Sequence, residues 1–322
     1  MAANSSSLYD IFPMLKYDRA ALIFLGLSRM KGFSFRRLRE LGGVDSVAAT
    51  FDQMGAEDFL AKWSREVGFA DPMAEVLHLG EGAVATLESR GIGMIRPGQP
   101  GYPARLTNLD EGLQPAWLFY KGNLELAEVR SVAVVGTRSP TEVGEYLTKY
   151  AVSTVREVGA AVVSGLAKGV DELAHEWALT SRVPNISILG NGLLKVYPMR
   201  NADLAARIVD SGGLLLSEYL PDAAPSAESF VWRNRLQAAL SLAVIAPEWK
   251  ASSGTAHTIK YAKRFGVPTI NLSPLGVAAP DDHGTADVAF HVPQEHSALV
   301  SALRASFNMS IPRQPDLLGD GQ

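Results

Sequence analysis

Two stretches of this chain hold the residue types that bind anions. Val132-Ala-Val-Val-Gly136-Thr137-Arg138-Ser139-Pro140 and Ala161-Val-Val-Ser-Gly165-Leu166-Ala-Lys168-Gly169-Val-Asp171 each pass from an apolar run into glycine and a cation. A buried strand that empties into a tight basic loop ahead of a helix is a phosphate-binding arrangement. The helix N-terminus offers unpaired N–H groups and positive potential, and glycine lets the anion approach the backbone. Two such loops suggest a ligand with more than one phosphate. Arg233-Asn234-Arg235, at the start of a candidate helix, adds two cations and an amide. Ser253-Gly254-Thr255 adds hydroxyls and N–H groups at another helix start. Tyr219 and Trp249 stand near the same rim, placed to stack on a base. A shared grip on phosphates requires Arg138, Lys168 and Arg235 to face one rim. His175 reads as a helix-face residue rather than a catalyst, and Tyr197-Pro198 as the shaping of a turn.

The elements that must position these loops follow from patterning. Near-continuous apolar runs at Val132–Val135, Ala161–Ser164, Ile186–Leu189, Leu214–Ser217, Leu242–Ala246 and Val267–Leu272 predict parallel strands buried on both faces. Trp117–Gly122 is a further strand candidate. Helical patterns lie between the runs, so the repeated β-α units predict a doubly wound, mostly parallel α/β sheet. Its ligands belong at the carboxyl ends of the strands. Ser139-Pro140-Thr-Glu142 has the order of a capping box, with Ser139 as N-cap. The helix over Thr255–Arg264 closes on two cations and Gly266. Before Gly91 the pattern is helical: Ala20–Leu27, Phe33–Gly43, Ala56–Trp63 and Pro72–Leu87. Boundaries are expected at 1–90 for a helical N-terminal domain and 91–295 for the sheet domain. Residues 296–322 are expected to form a C-terminal helix and a disordered tail.

Composition narrows the function classes. The chain has 322 residues, 47% hydrophobic and 20% charged, with net charge −4. It is no polycation, so any nucleic-acid affinity must come from a local patch. With zero cysteines and six scattered histidines, disulfides, cysteine chemistry and a zinc site are not expected, nor is any cofactor. No apolar run has the roughly 20 residues that span a bilayer, and Met1–Ser7 does not begin a signal peptide. A cytoplasmic protein is expected, without a membrane partner. The first loop departs from G-x-G-x-x-G, with Arg138 at the second glycine position, so a dinucleotide site is excluded. No G-x-x-x-x-G-K-[ST] occurs, and no serine–histidine–acid arrangement is legible.

The motifs, in this order, resemble the DNA-processing protein A (DprA, or Smf) family. The matching runs are Val134–Pro140, Ser164–His175, Leu189-Gly-Asn-Gly-Leu193, Val196-Tyr-Pro198, Leu216-Ser-Glu-Tyr219 and Arg233-Asn-Arg-Leu236. Pro97–Leu106, Leu118–Gly122 and the helical Leu22–Gly43 extend the likeness. The resemblance implies an extended Rossmann-like domain that binds single-stranded DNA, behind a small helical (SAM/helix-hairpin-helix-like) domain. It also implies a homodimer formed through the Rossmann-like domain, and a role in natural transformation, loading a RecA-type recombinase. Gly136, Thr137, Arg138, Gly165, Leu166, Lys168 and Gly169 would then hold phosphates, and Arg233, Asn234 and Arg235 would extend the pocket. The C-terminal winged helix that many members carry is not legible in the fifty residues after Leu272.

The expected activity is therefore sequence-independent, non-enzymatic binding of single-stranded DNA, in uptake and recombination or in phage defence. An alternative is a nucleotide N-glycosidase. Ser253-Gly254-Thr255 is reminiscent of a loop of the nucleotide phosphoribohydrolases, and Glu218 or Glu248 would be the carboxylate such chemistry needs. A third is a nucleotide-holding sensor or scaffold.

Overall fold

The computed structural model describes residues 17–64, 68–276 and 283–308. The tail expected from Ile311 and the first residues of the chain lie outside these. The described chain divides after Gly91 into two units.

The first unit is helical: α1 (Arg19–Leu27), α2 (Phe35–Glu40), α3 (Gly43–Met54), α4 (Ala56–Trp63) and α5 (Pro72–Ser89). Side-chain caps start α1 and α5. Asp18 accepts a hydrogen bond from Ala21 N–H, and Asp71 accepts one from Ala74 N–H ahead of Pro72 at the first helical position. α3 departs from the sequence expectation, in which Gly42-Gly43 only ends a helix. Gly42 adopts φ +90° as the N-cap of the next one, and Val44, Val47, Ala48 and Phe51 form its buried face. α1 and α5 meet through glycines. A Cβ on Gly26 would collide with the Val76 carbonyl, and one on Gly80 with the Leu22 carbonyl.

The second unit is built on a nine-stranded sheet: β1 (Ile92–Ile95), β2 (Leu118–Gly122), β3 (Ser131–Val134), β4 (Ala161–Ser164), β5 (Asn185–Leu189), β6 (Leu214–Ser217), β7 (Ala243–Ala246), β8 (Thr269–Pro274) and β9 (Val288–Val292). The spatial order is β1-β2-β6-β5-β4-β3-β7-β8-β9. β1 and β2 are antiparallel additions on one edge; the rest of the sheet is parallel. This is the mostly parallel α/β architecture that the apolar runs predict.

The central strands are buried on both faces because alternate residues feed two cores. Ala133, Val163, Ile188, Leu216 and Val244 enter one core, with Leu236, Leu240, Ile259 and Ala262. These last four come from α10 (Ala227–Leu240) and α11 (Thr255–Arg264). Val132, Val134, Val162 and Ile245 enter the other, with Leu147, Ala151, Val155, Ala174, Ala178 and Leu303. That layer comes from α7 (Glu142–Glu157), α8 (Val170–Thr180) and α12 (His296–Ser306). The remaining helices of the unit are α6 (Ala104–Thr107) and α9 (Ala202–Asp210). Val143, in the first turn of α7, is exposed. α10 is unusual: Arg233, Asn234, Arg235 and Gln237 are buried alongside its apolar residues.

The glycine contact in the helical unit makes a stability prediction. Gly80→Ala should cost about 1–3 kcal/mol through overpacking, read as a lower urea midpoint by circular dichroism. A midpoint unchanged from wild type would show that α1 and α5 do not pack this closely.

Candidate nucleic-acid interface

β3 sits where the strand order turns. β4 follows on one side of it, and β7 lies on the other. The crevice at such a switch point, beyond the carboxyl ends, is where α/β sheets hold ligands. A cavity of about 590 Å³ opens there. Gly136, Thr137 and Arg138 line it from the loop after β3, Ala167 and Asp171 from the segment after β4, and Ser253, Gly254 and Thr255 from the β7 side. Phe230, Arg233, Asn234 and Gln237 line it from α10.

The first loop is held from within the protein. Thr137 N–H donates to the Glu248 carbonyl (2.8 Å), and the Thr255 hydroxyl donates to the Gly136 carbonyl (2.9 Å). The α7 cap also lies elsewhere than expected. Thr141, not Ser139, is the N-cap, accepting from Gly144 N–H. Its own N–H and hydroxyl both donate to Glu248 Oε2, at 3.0 and 2.9 Å. A carboxylate therefore already fills the anion position at this helix start. Gly136 is needed for close approach of protein: a Cβ there would meet the Glu248 carbonyl oxygen and Val170.

In the second loop Gly165 N–H donates to Asp171 Oδ2 (3.1 Å). Gly165 lacks a side chain because the Arg233 guanidinium occupies the space where its Cβ would be. Arg233 Nη1 donates to the carbonyls of Gly165 (2.9 Å) and Ile188, and Nε to Asn234 Oδ1 (3.3 Å). Burial lowers the Arg233 pKa to about 10, partly offset by Asp171, so the group stays cationic at neutral pH. Burial raises the Asp171 pKa, opposed by Arg233 and the backbone donors of Ala167 and Gly165. Leu166 is buried at φ +58°, a left-handed conformation costly for a leucine. Its carbonyl accepts from Asn201 Nδ2 (2.9 Å). Gly169, at φ +87°, brings its loop against the Thr137 and Arg138 backbone, and Val170 N–H donates to Thr137 O (3.0 Å).

The predicted residues thus do not share one position: Gly165, Leu166 and Gly169 are buried and do not line the cleft. Arg138 and Gly254 are exposed at the cleft mouth, while the buried Arg233, Asn234 and Thr255 line its interior. Ser139 and Lys168 are exposed beside the cleft without lining it. Arg235 corrects the expectation of a shared rim. It is fully buried, with Nη2 2.5 Å from Glu218 Oε2, Nε donating to the Leu113 carbonyl and Nη1 to the Trp232 carbonyl. A cation at this helical position points into the core because α10 is buried almost all round. Tyr219 and Trp249 are also core residues, not stacking surfaces. The Tyr219 hydroxyl donates to the Ser229 carbonyl, and Trp249 Nε1 donates to Asn271 Oδ1. The Tyr219 pKa is pushed up by burial and by Glu218 beside it.

Sequence patterning missed an aromatic wall. Tyr197 is 48% exposed, lines the cleft, and lies 5.6 Å, centroid to centroid, from Phe230. The Arg138 guanidinium stands 5.9 Å from the Phe230 centroid, within cation–π range. The carboxylates that glycosidic chemistry would use are both committed. Glu218 Oε2 takes Arg235 and Trp232 Nε1, and Glu248 Oε2 takes Thr141.

An open, mostly parallel sheet with a cation-bearing cleft at its switch point defines a Rossmann-like protein. The model of the family described as DNA recombination-mediator protein A matches residues 93–289, and the chain belongs to that family. Protein Smf of Escherichia coli (strain K12) is 34% identical, over 61% of this chain and 52% of its own length. DNA processing protein DprA of Streptococcus pneumoniae is 35% identical, over 62% of this chain and 68% of its own length. The chain spans about half the length of the E. coli relative and 48% of protein Smf of Synechocystis. Among solved structures, DNA processing protein A from S. pneumoniae aligns with a TM-score of 0.59 at 29% identity, covering 83% of this chain and 89% of that one. The DNA processing protein A from Helicobacter pylori, described for its single-stranded DNA binding mode, aligns with 0.52 at 28% identity, covering 66% and 88%.

The loops and the histidine beneath them can be tested by stability. Gly165→Ala should cost about 1–3 kcal/mol by displacing Arg233, whereas Gly254, with nothing within 4 Å of an added Cβ, should tolerate alanine better; urea titrations compare them. His175 is buried, its Nδ1 2.6 Å from Asn185 Oδ1, and burial lowers its pKa to about 4. The unfolded chain then binds the extra proton first, so stability should fall as pH drops from about 6.5 toward 4, by up to about 1.4 kcal/mol per unit. His175→Gln should flatten that slope in denaturation curves taken across the interval.

Proposed function

We propose that this protein binds single-stranded DNA through its phosphates, without sequence preference and without cleaving it. The observation that carries the reading is the exposed Arg138 at the mouth of a cleft floored by the buried Arg233 and edged by the α11 start. The chain belongs to a family described by DNA recombination, and a relative of known structure is described as binding single-stranded DNA. Phosphates supply sequence-blind affinity, and the Tyr197–Phe230 wall offers a face on which any base can stack. The commitment of Glu218 and Glu248 to protein donors favours binding over glycosidic cleavage.

In this reading Thr137, Arg138, Ser139, Lys168, Asn234, Ser253, Gly254 and Thr255 face the strand. Gly136, Gly165, Leu166, Gly169 and Arg233 hold the loops in shape beneath them, and Arg235 secures α10. The DNA-binding domain extends over 91–295, apart from the helical domain at 1–90. The protein acts in the cytoplasm as a homodimer and passes strands to a RecA-type recombinase, in uptake, recombination or defence. Among the described residues, no helix is long and apolar enough to cross a membrane.

Fluorescence anisotropy with labelled oligonucleotides across a salt series tests the reading. Arg138→Ala and Lys168→Ala should each weaken binding to all sequences alike and reduce the salt slope by about 0.7 per lost contact. Tyr197→Ala should weaken it by about 1–3 kcal/mol with little change in slope. Affinity and slope unmoved by Arg138→Ala would overturn the proposal.

A further inference from the structure

The helical unit carries a concentration of positive charge of its own. From Arg19 to Arg39 the chain holds six cations and no acid, although its net charge is −4. Arg19 pairs with Asp52 at 2.8 Å. The others, Arg29, Lys31, Arg36, Arg37 and Arg39, fall on the connection from α1 to α2 and on α2 itself. Arg29, Lys31, Arg36 and Arg37 are exposed, and Arg39 is half-buried.

Apolar anchors fix the backbone that bears these cations. Met30, Phe33 and Leu38 are buried, and Phe33 stacks on Phe59 of α4 with ring centroids 5.8 Å apart. Ser64 Oγ donates to the Lys31 carbonyl (3.3 Å), and Ser34 Oγ accepts from Arg37 N–H (3.3 Å). Successive side chains of a helix turn by about 100°. With Leu38 inward, Arg36 therefore lies on the far face of α2, and Arg37 and Arg39 flank it. The Arg36 side chain is 87% exposed. Glu40 is the one acid in sequence between Asp18 and Asp45. It stands 2.9 Å from Arg36 Nε and 3.7 Å from Arg37 Nη1. Ion pairs on an open surface are weak, so an external phosphate can take their place.

The surroundings of the patch select its partner. Among the described residues of this unit, no large apolar side chain is exposed. An unpaired strand would find no open ring on which to stack its bases. A protein partner would find no apolar anchor of the kind on which such affinity rests. A duplex keeps its bases stacked inside and presents phosphates in regular rows. It asks only for cations held at fixed places.

We propose that the α1–α2 connection and α2 form a second nucleic-acid site, in which Arg29, Lys31, Arg36 and Arg37 contact the phosphates of double-stranded DNA. The inference goes beyond the single-strand reading and does not rest on it.

Fluorescence anisotropy of the full chain with a labelled blunt-ended duplex, across a salt series and beside a labelled oligothymidylate, tests the site. Glutamine at all four positions (Arg29→Gln, Lys31→Gln, Arg36→Gln, Arg37→Gln) should weaken duplex binding about tenfold and lower its salt slope by about 0.9 per lost contact. Binding of the oligothymidylate should be unchanged. Glu40→Gln removes the competing carboxylate and should tighten duplex binding about twofold. That gain decides the matter if the fourfold variant fails to fold. Duplex affinity and slope unmoved in both variants would overturn the site. So would a duplex lost with Arg138→Ala but kept by the fourfold variant, which would place it in the cleft. Displacement of the duplex by poly-glutamate at equal charge would assign the patch to an acidic protein segment and would also overturn it. The response of oligothymidylate to Arg138→Ala bears on the cleft alone, so the two readings fail separately.

Discussion

A buried guanidinium holds the carboxyl edge of this sheet together. Arg233 reaches from α10 to the carbonyls at the ends of β4 and β5, through the gap that Gly165 leaves by having no side chain. Removing a cation from water is costly, and the cost is met here by carbonyl dipoles and by the opposing charge of Asp171. Asp171 in turn fixes Gly165 N–H. Loop, helix and acid thus depend on one another. The left-handed Leu166, braced by Asn201, is the conformational strain that this closed set of bonds sustains.

The sheet was legible because parallel strands buried on both faces must be apolar along their whole length. β4, β6 and α11 lie where the runs and the Lys263-Arg264-Phe-Gly266 ending place them. α3 was not legible, because a Gly-Gly pair that ends one helix also begins the next. The α7 cap was misplaced by two residues for a tertiary reason: Glu248, more than a hundred positions away in sequence, selects Thr141 over Ser139.

The candidate site was legible in its location rather than its wiring. Glycines followed by cations mark the loops, but type and spacing do not tell which cation turns inward. Arg233 and Arg235 are two residues apart on one helix, and both are buried, one beneath the cleft and the other against Glu218. Glycine had a second meaning too. At Gly136, Gly165 and Gly169 the missing side chain admits protein atoms, while Gly254 is the one of these loop positions that opens on empty space. Tyr197 escaped notice because a tyrosine before proline has the pattern of a turn; only the three-dimensional approach to Phe230 reveals its exposed face.

The Glu248 carboxylate has a mechanical consequence. It belongs to the segment after β7, yet it grips the start of α7, and its backbone carbonyl takes Thr137. The strap bearing Gly254 and the strap bearing Arg138 are therefore braced as a single arch across the switch point. An arch already set in shape surrenders little freedom when a guest arrives. Its encounter with a flexible polymer should then be governed by the polymer's own ordering, and by how fast charge draws the two together.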